Sequence, residues 1–290
     1  MVINKIQGFY YVKSDEKIYE CKLRGILKRK DNKHNCVVGD IVEFSEDNSI
    51  TKIEKRKNLL ERPLVANIDY IVIQFAGKDP VIDYERLNTL ILNSFYYKIN
   101  PIVVVNKIDL LSLEEIEDIK KNLNFLQKLE IPYFLISEKE NIGVDQLKNF
   151  IQNKITAFGG PSGVGKSSII NLLQNAKVLE TGETSKRLRR GKHTTKDTNL
   201  LPLPGGGFII DTPGFSSVEL PYIKDVQELI SLFPEFKTDK NCKFYNCLHL
   251  NEPNCIIKDM VTSGEISPVR YDFYKKTYEK LKNERWNKYE

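Results

Sequence analysis

Eight consecutive residues, Gly160-Pro161-Ser162-Gly163-Val164-Gly165-Lys166-Ser167, constrain this chain more than any other stretch. They fit the spacing G-x-x-x-x-G-K-[ST], in which glycines let successive backbone amides curl around phosphate oxygens and a helix N-terminus adds positive potential. The context is the required one: an apolar segment at 155–158 precedes the loop, and residues 168–173 read as a helix that Ser168 opens. The reading assigns Lys166 to the β- and γ-phosphates and the Ser167 hydroxyl to Mg²⁺. The loop must therefore join a buried strand to a helix, and the fold class expected around it is α/β.

The rest of the middle of the chain agrees. Residues 70–74 and 101–105 are continuous apolar runs of the kind buried on both faces of a parallel sheet. Helical spacing covers 84–97, 113–129 and 144–153, and further strands fit 133–136, 155–158 and 207–210. Asp211-Thr212-Pro213-Gly214 closes the last of these, where Asp211 can hold Mg²⁺ through its water shell and the Gly214 amide can meet a γ-phosphate. Asn106-Lys107-Ile108-Asp109 ends the 101–105 strand and resembles the guanine-recognition motif of GTPases. Asp109 would accept from the guanine N1 and N2 edge; adenine lacks that donor pair and would leave the carboxylate unpaired. Ser137-Glu138-Lys139 resembles the S-A-K loop that supports guanine from the other side. Glu138 departs from the usual alanine, and because that contact uses a backbone amide the departure is read as neutral.

The order of these motifs is unusual. In a Ras-like GTPase the phosphate loop comes first and the base motifs last, whereas here the base motifs precede it. The same sheet is expected with its old ends joined near 144–154 and new ends opened just after Asp211–Gly214, a circular permutation. The γ-phosphate-sensing segment would then run directly into whatever follows it.

Flanking this α/β unit are two other kinds of sequence. Residues 8–12, 18–23, 40–44 and 49–53 are short strand-like segments separated by polar turns, which suggests a small barrel, the OB-fold being the expected type. After residue 220, Cys242-x4-Cys247-x-His249-x5-Cys255 supplies a Cys₃His set at the spacing of a closed, structural zinc site. Its surroundings, 241–254, offer few apolar residues, so the metal is expected to stand in for a core. A Tyr/Lys-rich helix is expected from residue 268 onward. The domains read as 1–62, an OB-like RNA-binding barrel; 63–220, the permuted α/β unit; and 221–290, a zinc-binding, mostly helical C-terminal part.

Composition settles less. The net charge of +5 hardly favours nucleic acid globally, but basic clusters at 28–30, 55–57, 186–196 and 275–288 are candidate phosphate-backbone contacts. Phe9, Tyr10 and Tyr11 are either barrel core or base-stacking residues. Five cysteines, an odd number, argue against a disulfide framework. No apolar run approaches a membrane span and the N-terminus lacks a secretory pattern, so the expected location is the cytoplasm.

Taken together, the order N-K-x-D, S-x-K, phosphate loop, D-T-P-G, with a barrel before and a zinc motif after, resembles the bacterial circularly permuted small-ribosomal-subunit biogenesis GTPases over essentially the whole chain. The resemblance implies GTP hydrolysis with Mg²⁺, one structural zinc, and partners comprising the small (30S) ribosomal subunit, its rRNA and GTP or GDP, with the chain a monomer. It also marks Gly191-Lys192-His193-Thr194-Thr195 as the switch segment. Thr195, or alternatively Thr194, would complete the Mg²⁺ shell. Position 215 is Phe where Ras-like proteins carry a water-orienting Gln, and the resemblance implies His193 as the substitute; a solvated loop histidine touching RNA is the other reading. Two different functions compete with an RNA-coupled GTPase: a nucleotide-gated RNA-binding module with incidental hydrolysis, and an ATP-using P-loop enzyme, against which Asp109 speaks.

Overall fold

The computed structural model describes residues 1–15, 17–27, 35–174, 199–212, 215 and 219–284. The N-terminal strands β1 (Val2–Ile6), β2 (Phe9–Ser14), β3 (Lys17–Leu23), β4 (Val42–Phe44) and β5 (Ser49–Ile53) form one sheet in the order β1-β2-β3-β5-β4. All pairings are antiparallel except β3 with β5. The Val2 amide donates to the Asp40 carbonyl and the Gly39 amide to the Val2 carbonyl, so β1 folds back onto the approach to β4. That order and closure are those of the OB-fold, a five-stranded Greek-key barrel. Alternation drives it: Tyr10 and Val12 on β2 and Cys21 and Leu23 on β3 turn inward with Val2 and Ile50. Tyr10 is therefore core, whereas Phe9 and Tyr11 remain half-buried. Buried Asp40 receives a two-pronged ion pair from Arg56, Nε to Oδ1 at 2.7 Å and Nη2 to Oδ2 at 2.8 Å, tying the barrel to the chain that leaves it.

A hairpin of β6 (Leu59–Glu61) and β7 (Leu64–Ala66) leads into the second sheet. Its strands are β8 (Tyr70–Ala76), β9 (Asn100–Asn106), β10 (Tyr133–Leu135), β11 (Ile155–Gly159), β12 (Leu201–Pro202) and β13 (Phe208–Asp211), in the order β10-β9-β8-β11-β13-β12. Only β12 runs antiparallel. Side chains alternate between two cores. Ile71, Ile73, Val103 and Val105 face the layer containing α1 (Tyr84–Tyr96) and α2 (Leu113–Asn122). Val72, Ile102 and Val104 face α4 (Val144–Ile151) and α5 (Lys166–Leu173). The strand order reverses at the parallel β8/β11 pair, which makes the carboxyl end of those strands the crevice where ligands bind in such sheets. Helix α4 runs through Gln152–Lys154 straight into β11, where the permutation was expected to join the old ends.

One expected element is divided. Residues 113–129 form α2 and a separate short α3 (Phe125–Lys128). Asn122 and Asn124 flank the break and are poor helix formers, and Leu123, Phe125 and Leu126 turn into the core, which a continuous helix would not let all three do. Strands β1, β6, β7 and β12 are not among the expected ones; each is short and lacks a long alternating run.

The C-terminal part comprises α6 (Val226–Ser231), a 3₁₀ turn at Pro234–Phe236, α7 (Ile256–Thr262) and α8 (Pro268–Glu284). It has a larger core than its cysteine-rich segment suggested. Phe233, Phe236, Tyr274, Tyr278 and Leu281 pack with Cys247, Cys255 and with Leu92 of α1. Arg270 lies buried where this core meets α1. Its Nε donates to Glu235 Oε1 at 2.7 Å and its Nη1 to Asn88 Oδ1 at 3.0 Å, and its guanidinium lies 4.8 Å from the Phe233 ring centre. Arg270→Ala would leave the Glu235 carboxylate buried without its cation, at a cost of about 3–5 kcal/mol. Denaturant titration should show that loss, and Arg270→Met combined with Glu235→Leu should recover most of it. Among the described residues no helix is long and apolar enough to cross a membrane.

Candidate functional site

Strand β11 delivers the loop 160–165 to the crevice, and α5 starts at Lys166. Two glycines are required by close approach. A Cβ at Gly160 would fall 2.1 Å from the Gln74 carbonyl oxygen, and one at Gly165 would fall 2.4 Å from Asn106 Nδ2, both at positive φ. The loop is held from beneath through a single atom: the Val164 carbonyl accepts from Gln74 Nε2 at 2.9 Å and from Asn106 Nδ2 at 3.0 Å. Lys166 curls back so that its ammonium donates to the Gly160 and Pro161 carbonyls at 2.7 and 2.8 Å. Pro161, Ser167 and Ser168 are half-buried, and Ser162 and Gly163 are exposed at the rim.

The Asn106–Asp109 turn follows β9, with Lys107 in a left-handed conformation (φ 62) and its ammonium on the Asp79 carbonyl at 2.5 Å. Ser137, after β10, donates its hydroxyl to Asp109 Oδ1 at 2.7 Å, which fixes the carboxylate's orientation. The Glu138 amide donates to Asn106 Oδ1 at 3.2 Å. Lys139 is exposed. Asn106 therefore links three loops, after β9, β10 and β11, into one unit.

On the other side of the phosphate loop, Asp211 ends β13 opposite Phe158 of β11. Buried Thr212 pins the segment there, its amide and hydroxyl both donating to the Phe158 carbonyl, at 2.9 and 2.7 Å. Phe215 is fully buried, and a Cβ on Gly159 would lie 2.6 Å from its ring. An aromatic ring so placed is a core residue and cannot orient water. Gly214, His193, Thr194 and Thr195 lie outside the described residues.

Gln74 had no role in the sequence reading, which took it as part of an apolar strand. The signal was present: an amide at a position buried on both faces needs partners.

Some way along the chain, Cys242, Cys247, His249 and Cys255 bring one ligand atom each to within 4.8 Å of one another. Cys242 Sγ lies 4.0 Å from Cys255 Sγ and 3.7 Å from His249 Nδ1, which lies 3.4 Å from Cys255 Sγ. A tetrahedral zinc with ordinary bond lengths would separate two sulfurs by about 3.8 Å and a sulfur and a nitrogen by about 3.6 Å. The donor set and its spacing thus fit one zinc ion. Burial lowers the His249 imidazole from its ordinary range, which suits a neutral ligand, and pushes the Cys247 and Cys255 thiols up, so thiolates there call for a cation. Outer contacts hold the loop: the Tyr271 and Tyr274 hydroxyls donate to the His249 and Leu248 carbonyls, at 2.7 and 2.6 Å. Glu252 accepts from the Leu248 and Leu250 amides.

With this geometry in view, the comparisons with known proteins are decisive. The sequence profile of the RsgA GTPase family matches residues 48–221, and that of the RsgA N-terminal domain matches residues 1–51. The chain belongs to the RsgA GTPase family. The Small ribosomal subunit biogenesis GTPase RsgA of Fusobacterium nucleatum subsp. nucleatum is 61% identical over 286 residues, covering 99% of this chain and 100% of that protein. The protein of the same name from Clostridium beijerinckii is 42% identical, covering 99% of each. Among solved structures, YjeQ from Thermotoga maritima matches with a TM-score of 0.84 at 31% identity, covering 98% of each chain. YloQ, described as a circularly permuted GTPase, matches with a TM-score of 0.80 at 28% identity, covering 98% of this chain and 94% of that one.

Proposed function

We propose that this chain hydrolyses GTP to GDP and phosphate in the crevice between β8 and β11, and that it assists late maturation of the small (30S) ribosomal subunit by binding its rRNA. The observation that carries the chemical half is the shared anchor at Val164: one carbonyl joins the phosphate loop to the N-K-x-D turn, so a nucleotide's two ends are read by one connected unit. The ribosomal half is supported by family membership and by the full-length likeness to proteins named for that role.

In this reading Asp109 accepts from the guanine N1 and N2 groups, with Asn106, Lys107, Ser137 and Lys139 shaping the base pocket. The backbone of Gly160–Gly165 wraps the phosphates. Lys166 leaves the Gly160 and Pro161 carbonyls to bind β- and γ-oxygens, while Ser167 and Ser168 meet the phosphates at the start of α5. Ser167, Asp211 and Thr195 are the assigned Mg²⁺ partners and Gly214 the γ-phosphate amide. Mg²⁺, when bound, neutralises charge developing on the phosphate oxygens. His193 is assigned to the attacking water, since Phe215 lies in the core. Cys242, Cys247, His249 and Cys255 would hold one structural zinc. We assign residues 1–62 to an RNA-binding barrel, 63–220 to the GTPase unit and 221–290 to the zinc-binding part, acting as a cytoplasmic monomer.

Unassisted turnover should be slow, roughly 10⁻⁴ to 10⁻³ per second as in unassisted Ras-like GTPases. Steady-state GTP hydrolysis measured with and without purified small subunits tests both halves. Strong stimulation that disappears in His193→Ala supports the assignment. Stimulation that survives the substitution removes His193 from the chemistry, and none at all removes the ribosome as activator.

A further inference from the structure

Glu138 stands where the base-supporting loop usually has alanine, and the sequence reading treated the exchange as neutral because a backbone amide makes the contact. The side chain is not directed away from the pocket. Glu138 Oε2 is buried and has no hydrogen-bond partner among the described residues. It lies 3.7 Å from where a Cβ on Gly165 would be, and that same point is 2.4 Å from Asn106 Nδ2. The carboxylate is therefore turned inward, toward the start of α5 and the Asn106 amide, while the next residue, Lys139, faces solvent.

Its place relative to the base follows from Asp109, and so rests on the reading of Asp109 as the guanine acceptor. Ser137 is hydrogen-bonded to Asp109 Oδ1 at 2.7 Å and the Glu138 amide to Asn106 Oδ1 at 3.2 Å, so residue 138 follows directly on the residue that holds the carboxylate taking N1 and N2. Going round the purine from N1, the next groups are O6 and then N7. On guanine both are acceptors; on adenine the first is replaced by an amino donor. A carboxylate is acceptor-only. Glu138 thus presents the wrong polarity to guanine's O6/N7 edge and the right one to adenine's amino group, in opposition to Asp109. To let guanine in, the side chain must turn out or leave two acceptors facing each other.

We propose that Glu138 is a specificity-determining residue of this pocket: it weakens retention of guanine nucleotides and narrows the preference for guanine over adenine that Asp109 establishes. Removing the clash should tighten guanine binding about tenfold, the scale of one buried unsatisfied acceptor. Glu138→Gln should do most, because its amide can donate to O6, and Glu138→Ala somewhat less.

The experiment uses the full chain and measures dissociation constants for GDP and ADP by calorimetry, with the GDP off-rate by stopped flow. Wild type, Glu138→Gln, Glu138→Ala and Asp109→Asn are compared. The expected result is GDP binding about tenfold tighter and slower to dissociate in Glu138→Gln, with ADP unchanged or weaker. Equal tightening of GDP and ADP would overturn the proposal and leave Glu138 a mere negative charge near the phosphates. Unchanged GDP affinity in both Glu138 variants, with Asp109→Asn still defective, would overturn it as well. If Asp109→Asn binds GDP like wild type, the base-pocket reading itself has failed, and that outcome is separable from the others.

Discussion

Asp109→Asn lowers affinity for GTP and GDP by about 10²- to 10⁴-fold and gives the protein a measurable affinity for xanthine nucleotides. Two hydrogen bonds from a purine edge to a carboxylate are each worth about 1.5–3 kcal/mol, and each 1.4 kcal/mol is a factor of about ten. Asparagine keeps one acceptor but puts an amide donor against a donor on guanine, so one bond is lost and one repulsion gained. Xanthine carries a carbonyl at C2 in place of the amino group, which restores complementarity. The substitution should leave the pocket standing, because Asp109 Oδ1 needs only to accept from Ser137, which an amide oxygen also does. Titration calorimetry with GDP and XDP on both proteins decides it. Retention of GDP affinity within a few-fold would mean that the base is read elsewhere.

The second large effect is expected at the Cys₃His centre. We expect one zinc per chain, and its removal by a strong chelator, or Cys255→Ala, should disorder the loop from Cys242 to Cys255 while GDP binding persists. Structural zinc contributes about 10–16 kcal/mol in small peptides. The contribution here should be smaller, because Phe233, Phe236 and Tyr274 form a core that does not depend wholly on the ion. What such an ion would hold is the loop from Cys242 to Cys255, including His249 at positive φ, and through it the Tyr271 and Tyr274 hydroxyl bonds. Near-UV circular dichroism should therefore fall as those tyrosines lose their fixed surroundings, and proteolysis should begin between Cys242 and Cys255. Metal analysis finding no zinc, together with a spectrum indifferent to chelation, would remove the metal from the account.

The two tests differ in reach. The Asp109 substitution acts within a pocket that stays folded. The metal-centre change would loosen the cluster that Leu92 of α1 shares with Cys247 and Cys255, so a modest secondary loss in GTPase stability should accompany it. Asn93 of the same helix donates to the Glu219 carbonyl at 3.2 Å, just beyond the segment that begins at Asp211.

Much of this protein was determined locally. The phosphate loop, the N-K-x-D turn and the four zinc-ligand candidates were legible because each needs particular residue types at fixed short spacings, and the strand–helix rhythm named the sheet because buried parallel strands are uniformly apolar. The reversed order of the motifs was enough to expect a permutation. Tertiary structure decided what depends on contact between distant residues. Gln74 became an anchor only when β8 passed beneath a loop that follows it by ninety residues. Arg270 found Asn88 across 182 residues. The core of the C-terminal part assembles from aromatic residues on either side of a polar segment, so its composition window by window concealed it. The orientation of Glu138 was likewise invisible: a sequence records that a carboxylate is present, whereas the packing of Gly165 and Asn106 around it determines which way it points and what it opposes.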